Sequence, residues 1–476
     1  MTEAVRLRER LGHRLIKAVV AVFLLFAVAA TAQTGSRKSR EPLSARPPLG
    51  WNSWDSYGLR INEQQFRENA SALKAKLFPF GYDYAVIDEG WFLQNPESRP
   101  HPELLQYELD ANGRYIPVPS RFPSAIQNGT NVGFAPIGKW LHAQGLKFGI
   151  HIVRGIPRES VKRNLPIEGA RFTVTDAADQ ADACPWDPTN WGVKDTPAGQ
   201  AWYDSLLRQY AAWGVDILKV DCISDHPYKV SEIRQIKLAI ERAGRPMVLS
   251  LSPGPTNLEH ADEVISLAQM WRISNDVWDV WSTQAAFPKS VKDQFALAAK
   301  WSKYAGPGHW PDADMLPLGE LTPSPDVGHG ARHTRLTPAE QQTMVTLWSF
   351  ARSPLIAGAN LTQLDAATTA LLTNKDLLRI DQTATASREV KHVGDIVVWT
   401  SDLPNGDFAI AVFNLGESAA GSTWRFQELG LPTRKFQVRD AWTGTEQASN
   451  TEVKAHLEAH AVAAFILSSR PQAKTR

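Results

Sequence analysis

The strongest constraint on this chain is a series of short, nearly uninterrupted apolar runs, each separated from the next by an amphipathic stretch. The runs are Leu49 to Trp54, Tyr82 to Asp88, Lys147 to Val153, Asp216 to Asp221, Met247 to Ser252 and Gln269 to Ser274, then a short piece around Gly308 to Trp310, and Pro354 to Ala359. A strand with one wet face alternates apolar and polar residues, whereas a strand covered on both faces does not. These runs therefore read as strands of a parallel sheet. Helical periodicity marks the segments between them, such as Glu63 to Leu77, Ala198 to Trp213 and Ser231 to Ala243. Another helix is announced by Thr337-Pro338-Ala339-Glu340, a capping box with proline in the first helical position. Eight such strand and helix pairs predict a (β/α)8 TIM barrel over 43–380, with a doubly wound open sheet as the other arrangement.

Beyond about residue 385 the helical pattern stops. Ile396 to Thr400, Asp407 to Asn414, Phe436 to Ala441 and Ala461 to Leu467 are short strands with turn signals between them, Asn405-Gly406 the clearest. A C-terminal antiparallel β-sandwich over 385–470 is expected. The start of the chain has another character. Arg6, Arg8, Arg10, Arg14 and Lys17 precede an apolar run from Ala18 to Ala30, and Ala30-Thr31-Ala32 offers small residues for cleavage. The run is short of the roughly 20 residues that span a bilayer. Residues 1–32 are expected to be a signal peptide. The mature protein would be secreted or periplasmic, with no membrane association, and Cys184 and Cys222 could pair there.

Charge is balanced, with 51 Lys and Arg against 50 Asp and Glu. No global field draws the protein to nucleic acid, and a neutral substrate is favoured. In a barrel of this kind chemistry gathers where the strands end. At those points stand Trp54 with Asp55, Asp88 with Glu89, His151, Lys219 with Asp221, Arg272 with Asp276, and Asp312 with Asp314. Asp after a strand often only caps a helix, but so many carboxylates on one rim point to a site. Lys219 and Asp221 are two apart and share a face of their strand, so the ammonium group is expected to hold Asp221 ionised. Arg272 and Asp276 could face the site together. Two carboxylates, one ionised and one protonated, are what a retaining glycosidase requires.

Several motifs carry a resemblance. Pro48 to Trp54, Ile87-Asp88-Glu89-Gly90-Trp91, Leu218-Lys219-Val220-Asp221, Trp271 to Asp276, Gly308 to Leu316 and Val438 to Trp442 resemble glycoside hydrolase family 27, which contains α-galactosidases and α-N-acetylgalactosaminidases. The motifs occur in order along nearly the whole mature chain. The resemblance implies Asp221 as nucleophile and Asp276 as general acid/base. It implies Trp54 as an apolar wall under the sugar, and Asp88 with Glu89 as acceptors from O4 and O6. Lys219 would donate to O3 or O4, Arg272 to the group at C2, and Asp314 would complete the ring. His151 stands where the family usually has Tyr.

Three departures bear on the sugar. The loop after the fifth strand is Ser250-Leu251-Ser252-Pro253-Gly254-Pro255, without the family's usual readers of the C2 substituent. The cysteine after the fourth strand is shifted by one, to Cys222, and Asp-Glu replaces the commoner Asp-Asp at the end of the second. Terminal α-D-galactosides are the expected substrates. α-N-acetylgalactosaminides, β-L-arabinopyranosides and isomaltose units are the alternatives, and a barrel that binds carbohydrate without cleaving it is a more distant one. His151, Asp88, Asp312 and Asp314 lack the spacing of a metal site, and no Gly-rich phosphate loop stands between a strand and a helix. No metal and no cofactor are expected.

Overall fold

The computed structural model describes residues 42–225, 227–322 and 331–469, with nothing said of the side chains of 448–450. The expected signal peptide lies outside the described residues. Strands β1 (Leu49–Asn52), β2 (Tyr84–Ile87), β3 (Lys147–Val153), β4 (Val215–Asp221), β5 (Val248–Leu251), β6 (Met270–Arg272), β7 (Trp310–Asp312) and β8 (Leu355–Ala357) form one parallel sheet in the order β7-β6-β5-β4-β3-β2-β1-β8. Residues after β7 close it into a ring: Leu316 N donates to Ile356 O at 2.8 Å, and Gly358 N donates to Leu316 O at 3.0 Å. The seventh strand, expected around Gly308 to Trp310, lies two residues later at Trp310–Asp312, because Gly306, Pro307 and Gly308 belong to a turn.

Helices fill the crossovers: α1 (Glu63–Ala72), α2 (Ala135–Ala143), α3 (Pro197–Trp213), α4 (Val230–Arg242), α5 (Ala261–Leu267), α6 (Val291–Trp301) and α7 (Pro338–Ala351), followed by α8 (Ala366–Leu372) and α9 (Lys375–Thr383). Their boundaries have local causes. Thr196 caps α3 by accepting from Gly199 N, and Gly214 ends it at φ 81°, in the left-handed region that glycine enters without strain. Thr337 and Glu340 form the reciprocal capping box foreseen for α7.

Each barrel strand also sorts its residues by parity. On β4, Leu218 and Val220 pack outward into the main core, while Ile217 points into the barrel and Lys219 and Asp221 line the pocket above it. On β2, Ala85 and Ile87 face outward, and Tyr84 and Val86 join Ile217, Val248 and Met270 to plug the barrel floor. The apolar run thus supplies the helix-facing layer and the floor, and the polar end of the same parity series supplies the site.

Eight antiparallel strands follow: β9 (Thr385–Val393), β10 (Ile396–Leu403), β11 (Asp407–Asn414), β12 (Ala420–Arg425), β13 (Phe436–Asp440), β14 (Glu446–Asn450), β15 (Glu452–Leu457) and β16 (Val462–Ser468). The larger sheet has the order β9-β10-β11-β16-β13-β14, and β12 pairs with β15. Its central strands are apolar on both faces for a definite reason. Val397, Trp399, Ala409, Ala411, Phe413, Ala464 and Ile466 belong to the barrel's core, whereas Val398, Ile410, Val412, Phe465 and Leu467 form the sandwich's own. Polar ties join the two parts, among them Arg379 to Asp407 at 2.7 Å and Lys292 Nζ to Leu415 O at 2.9 Å.

Cys184 and Cys222 are disulfide-bonded across 38 residues, joining the β3–α3 connection to the end of β4. Closing a loop of that length restricts the unfolded chain by about 4 kcal/mol in the chain-entropy account. Denatured but unreduced protein is therefore expected to titrate no free thiol. Cys184→Ser/Cys222→Ser is expected to lower the urea-unfolding free energy by about that amount. An unchanged value would assign the stability of this connection to packing alone.

Candidate active site

At the C-terminal ends of the strands lies a pocket of about 360 Å³ lined by Trp54, Asp88, Glu89, His151, Lys219, Asp221, Arg272, Asp276 and Asp314, which brings together all nine residues selected from the sequence. Asp55, Ser252, Val277, Trp278 and Met315 complete the wall.

Lys219 departs from expectation. Its Nζ donates to Asp88 Oδ2 at 2.9 Å, so its ion pair is with Asp88 and not with Asp221. Parity puts Lys219 and Asp221 on one face, but the long lysine side chain leans across β3, where His151 is its register partner, to the tip of β2. Asn52 Nδ2 donates to the same Asp88 oxygen at 2.7 Å. Burial pushes the Asp88 carboxyl up, but Lys219, then His151 and the Glu89 N–H, outweigh it and hold the group far below the usual carboxylate range. Lys219 is moved the other way: burial works against its charge, and Asp88 and Asp314 more than restore it.

Arg272 serves two carboxylates. It approaches Asp314 Oδ2 at 2.6 Å and Asp276 Oδ1 at 3.2 Å. Asp314 has φ 87°, a left-handed conformation uncommon for Asp, and its Oδ2 also accepts Val277 N at 2.7 Å. Burial pushes the Asp314 carboxyl up to about 7, opposed by Arg272 and reinforced by Asp276 and Asp312. Asp221 has quite different neighbours. Its Oδ2 is 3.3 Å from His151 Nε2, and its Oδ1 accepts Trp186 Nε1–H at 3.2 Å. Among the described residues it makes no ion pair with Lys or Arg.

Glu89 faces a third arrangement. Arg99 Nη1 lies 3.4 Å from Glu89 Oε1 and 3.0 Å from Asp187 Oδ2. Burial raises Glu89 well above its usual range against the pull of Arg99, and the charge of Asp187 adds to the rise. Asp187 is held low, because Arg99 and hydrogen bonds from Thr189 and Glu89 outweigh its burial. The raised Glu89 and the lowered Asp187 thus answer to one guanidinium, that of Arg99.

Asp55 was passed over in choosing the site residues. It is buried, which raises its carboxyl well above the usual range, and Asp314, Asp276 and Asp88 add to that against Lys219. A Cβ at position 358 would meet Asp55 Oδ2 at 2.0 Å, so Gly358 is what makes room for it. Trp186 and Asp187 were also missed. They follow Cys184, whose partner Cys222 follows Asp221, and that adjacency was the available signal.

Comparisons with known proteins agree with this geometry. Residues 189–383 match the alpha galactosidase A family and residues 393–467 match the alpha galactosidase C-terminal beta sandwich domain. The crystal structure of a family 27 β-L-arabinopyranosidase from Geobacillus stearothermophilus, in complex with arabinose, is 40% identical with a TM-score of 0.84, over 90% of this chain and 98% of that one. The chain belongs to glycoside hydrolase family 27. Its wild-type counterpart from the same organism is 39% identical, covers 91% of this chain and 98% of its own, and has a TM-score of 0.83. Alpha-galactosidase A of Cellvibrio japonicus is 27% identical over 94% of this chain and 98% of its own length. This family 27 protein is a glycoside hydrolase.

The Asp88–Lys219 pair gives a direct test of the site's electrostatics. Asp88 is depressed, so its contribution to stability is present above the ordinary value near ~4 and is lost as pH falls through the folded value. Lys219 is raised, so its contribution is present below about 10.4 and is lost at higher pH. Lys219→Met is expected to cost about 3 kcal/mol, by leaving Asp88 buried without its cation. Asp88→Asn/Lys219→Met should recover over half of that, and the coupling should stay flat from about pH 5 to 9. Urea unfolding of the four proteins decides it. A double variant no better than the single one would mean the pair is not what holds this wall.

Proposed function

We propose that the protein hydrolyses terminal α-D-galactosyl residues with net retention, Asp221 acting as nucleophile and Asp276 as general acid/base. The contrast between the two carboxyl groups is the observation that carries this. Asp221 is met by an indole and an imidazole, and so stays a usable nucleophile rather than the locked member of an ion pair. Asp276 is a third exposed, and its arginine is drawn more closely to Asp314. It can therefore lose a proton to the leaving oxygen and take one from water. A small pocket above an apolar barrel floor suits one terminal ring and exo attack. Trp54 offers an apolar face for the ring, and Asp88, Lys219 and Arg272 are fixed polar partners for its hydroxyls.

A second substrate reading is favoured by Glu89. D-galactopyranose and L-arabinopyranose share their ring hydroxyl configuration and differ by the hydroxymethyl group on C5. The longer Glu89, anchored by Asp187 and Arg99, takes space that a shorter aspartate would leave open. That supports β-L-arabinopyranosides, the class named for the structures at 40% and 39% identity. Nitrophenyl α-galactoside, α-N-acetylgalactosaminide, β-L-arabinopyranoside and α-glucoside distinguish the options. Glu89→Asp is expected to shift the kcat/KM ratio toward the galactoside by about tenfold, the size of one methylene in a tight pocket. No shift would remove Glu89 from C5 selection.

Export is also proposed, on the basic and apolar N-terminal segment and the disulfide. A mature protein that still begins at Met1 in the cytosol would end that proposal.

The chemical mechanism has its own test. Asp221→Ala is expected to retain the fold and lose more than 99.9% of turnover, about 4 kcal/mol of barrier or more. Proton NMR of the first-formed sugar, taken before mutarotation, should show the substrate's anomeric configuration. An inverted product would make Asp221 a base instead of a nucleophile.

A further inference from the structure

Trp186 reaches the carboxylate of Asp221 from a segment that holds no other part of the expected machinery. Its Nε1–H donates to Oδ1 at 3.2 Å, while His151 Nε2 stands 3.3 Å from Oδ2. Both sides of the indole are anchored. Two residues before it, Cys184 is bonded to Cys222, the residue after Asp221. One residue after it, buried Asp187 accepts from Thr189 N at 2.8 Å and from Arg99 Nη1 at 3.0 Å. Trp186 is 39% exposed, and the chain on either side helps to set its position.

We infer that Trp186 is a catalytic residue whose indole N–H stabilises the Asp221 carboxylate as the leaving group of deglycosylation. The inference rests on the nucleophilic role proposed above. In the first step a carboxylate oxygen of Asp221 bonds to the anomeric carbon, the bond to the leaving oxygen breaks, and Asp276 protonates that oxygen. In the second step Asp276 takes a proton from water, the water oxygen bonds to the anomeric carbon, and the bond to Asp221 breaks with its electron pair returning to the carboxylate. Charge leaves Asp221 in the first step and returns in the second. A neutral donor on that carboxylate slows attack slightly and speeds departure, because its hydrogen bond strengthens as charge returns. A lysine in the same place would favour the free carboxylate too strongly for attack. An indole is a milder partner.

The test uses the full-length enzyme and a dinitrophenyl glycoside of the preferred sugar, whose fast first step leaves deglycosylation rate-limiting. Trp186→Phe keeps a ring and removes the N–H. Its kcat is expected to fall about tenfold, the effect of one hydrogen bond to a charged group, with KM falling in parallel and kcat/KM within about twofold of wild type. A burst of one dinitrophenolate per enzyme and an intact mass increased by one glycosyl unit should accompany it. Trp186→Ala should show the same split, since the N–H and not the ring is the cause. A fall in kcat/KM with a raised KM and no burst would overturn the inference, as would unchanged kinetics in Trp186→Phe. A 2-deoxy-2-fluoro glycoside on wild-type enzyme separates the two layers. Failure to label Asp221 would defeat the nucleophile assignment itself, whereas labelling without the kinetic split would defeat only the role of Trp186.

Discussion

Everything in the pocket depends on a shortage of positive charge. Asp55, Asp88, Glu89, Asp221, Asp276 and Asp314 line one small space, and among the described residues lining it only Lys219 and Arg272 are permanent cations, with Arg99 behind Glu89. So many carboxylates cannot all ionise away from water. The shortage is resolved by division. Asp88 takes the lysine, Asp314 and Asp276 divide the arginine, and Asp55 and Glu89 are driven toward their neutral forms by burial. Asp221 is left with an imidazole and an indole. That Asp221 has no Lys or Arg partner among the described residues results from where the cations are spent.

Such a division works only if the strand ends hold still, and the backbone around Asp221 is heavily tied. Arg154 N donates to Asp221 O at 3.1 Å, and Arg154 Nε donates to Cys222 O at 2.7 Å. The guanidinium is buried against Asp182 at 2.9 Å and Glu232 at 2.6 Å. Cys222 has φ 61°, and its disulfide is the third tie on this turn. One arginine thus fixes the two peptide groups that follow Asp221, on either side of Cys222, while standing outside the pocket. A carboxylate on a strand end held this way keeps its direction without an ion pair of its own, which is what the charge shortage demands.

The architecture was legible because burial on both faces leaves a mark in the sequence. β2 and β5 read as apolar runs, β4 as one flanked by Asp216 below and Lys219 with Asp221 at the rim, and Thr337 to Glu340 announces α7 through chemistry confined to four residues. The doubly covered sandwich strands β10, β11 and β16 carry the same mark. β7 was misplaced because three residues including Pro311 give too little pattern against a neighbouring glycine turn. Among the site residues, parity identified which side chains face the pocket and misled about Lys219. Parity fixes a direction, but a lysine can reach a neighbouring strand's tip, and its partner is then chosen by burial and charge. Arg99, Trp186 and Asp187 were hidden for a different reason. They come from loops whose approach to β2 and β4 depends on the disulfide and on the folded β3–α3 connection.

That same connection links two properties usually assigned to separate parts of a glycosidase. Asp187 shares the Arg99 guanidinium with Glu89, while the adjacent Trp186 donates to Asp221. The two residues share one short, covalently anchored segment, so a displacement of either is transmitted to the other through a single peptide unit. Replacing Glu89 by a shorter carboxylate leaves Asp187 and Arg99 to find new partners, and buried charges do so only by moving or by binding water. Glu89 and Asp221 are therefore linked through the segment from Cys184 to Asp187.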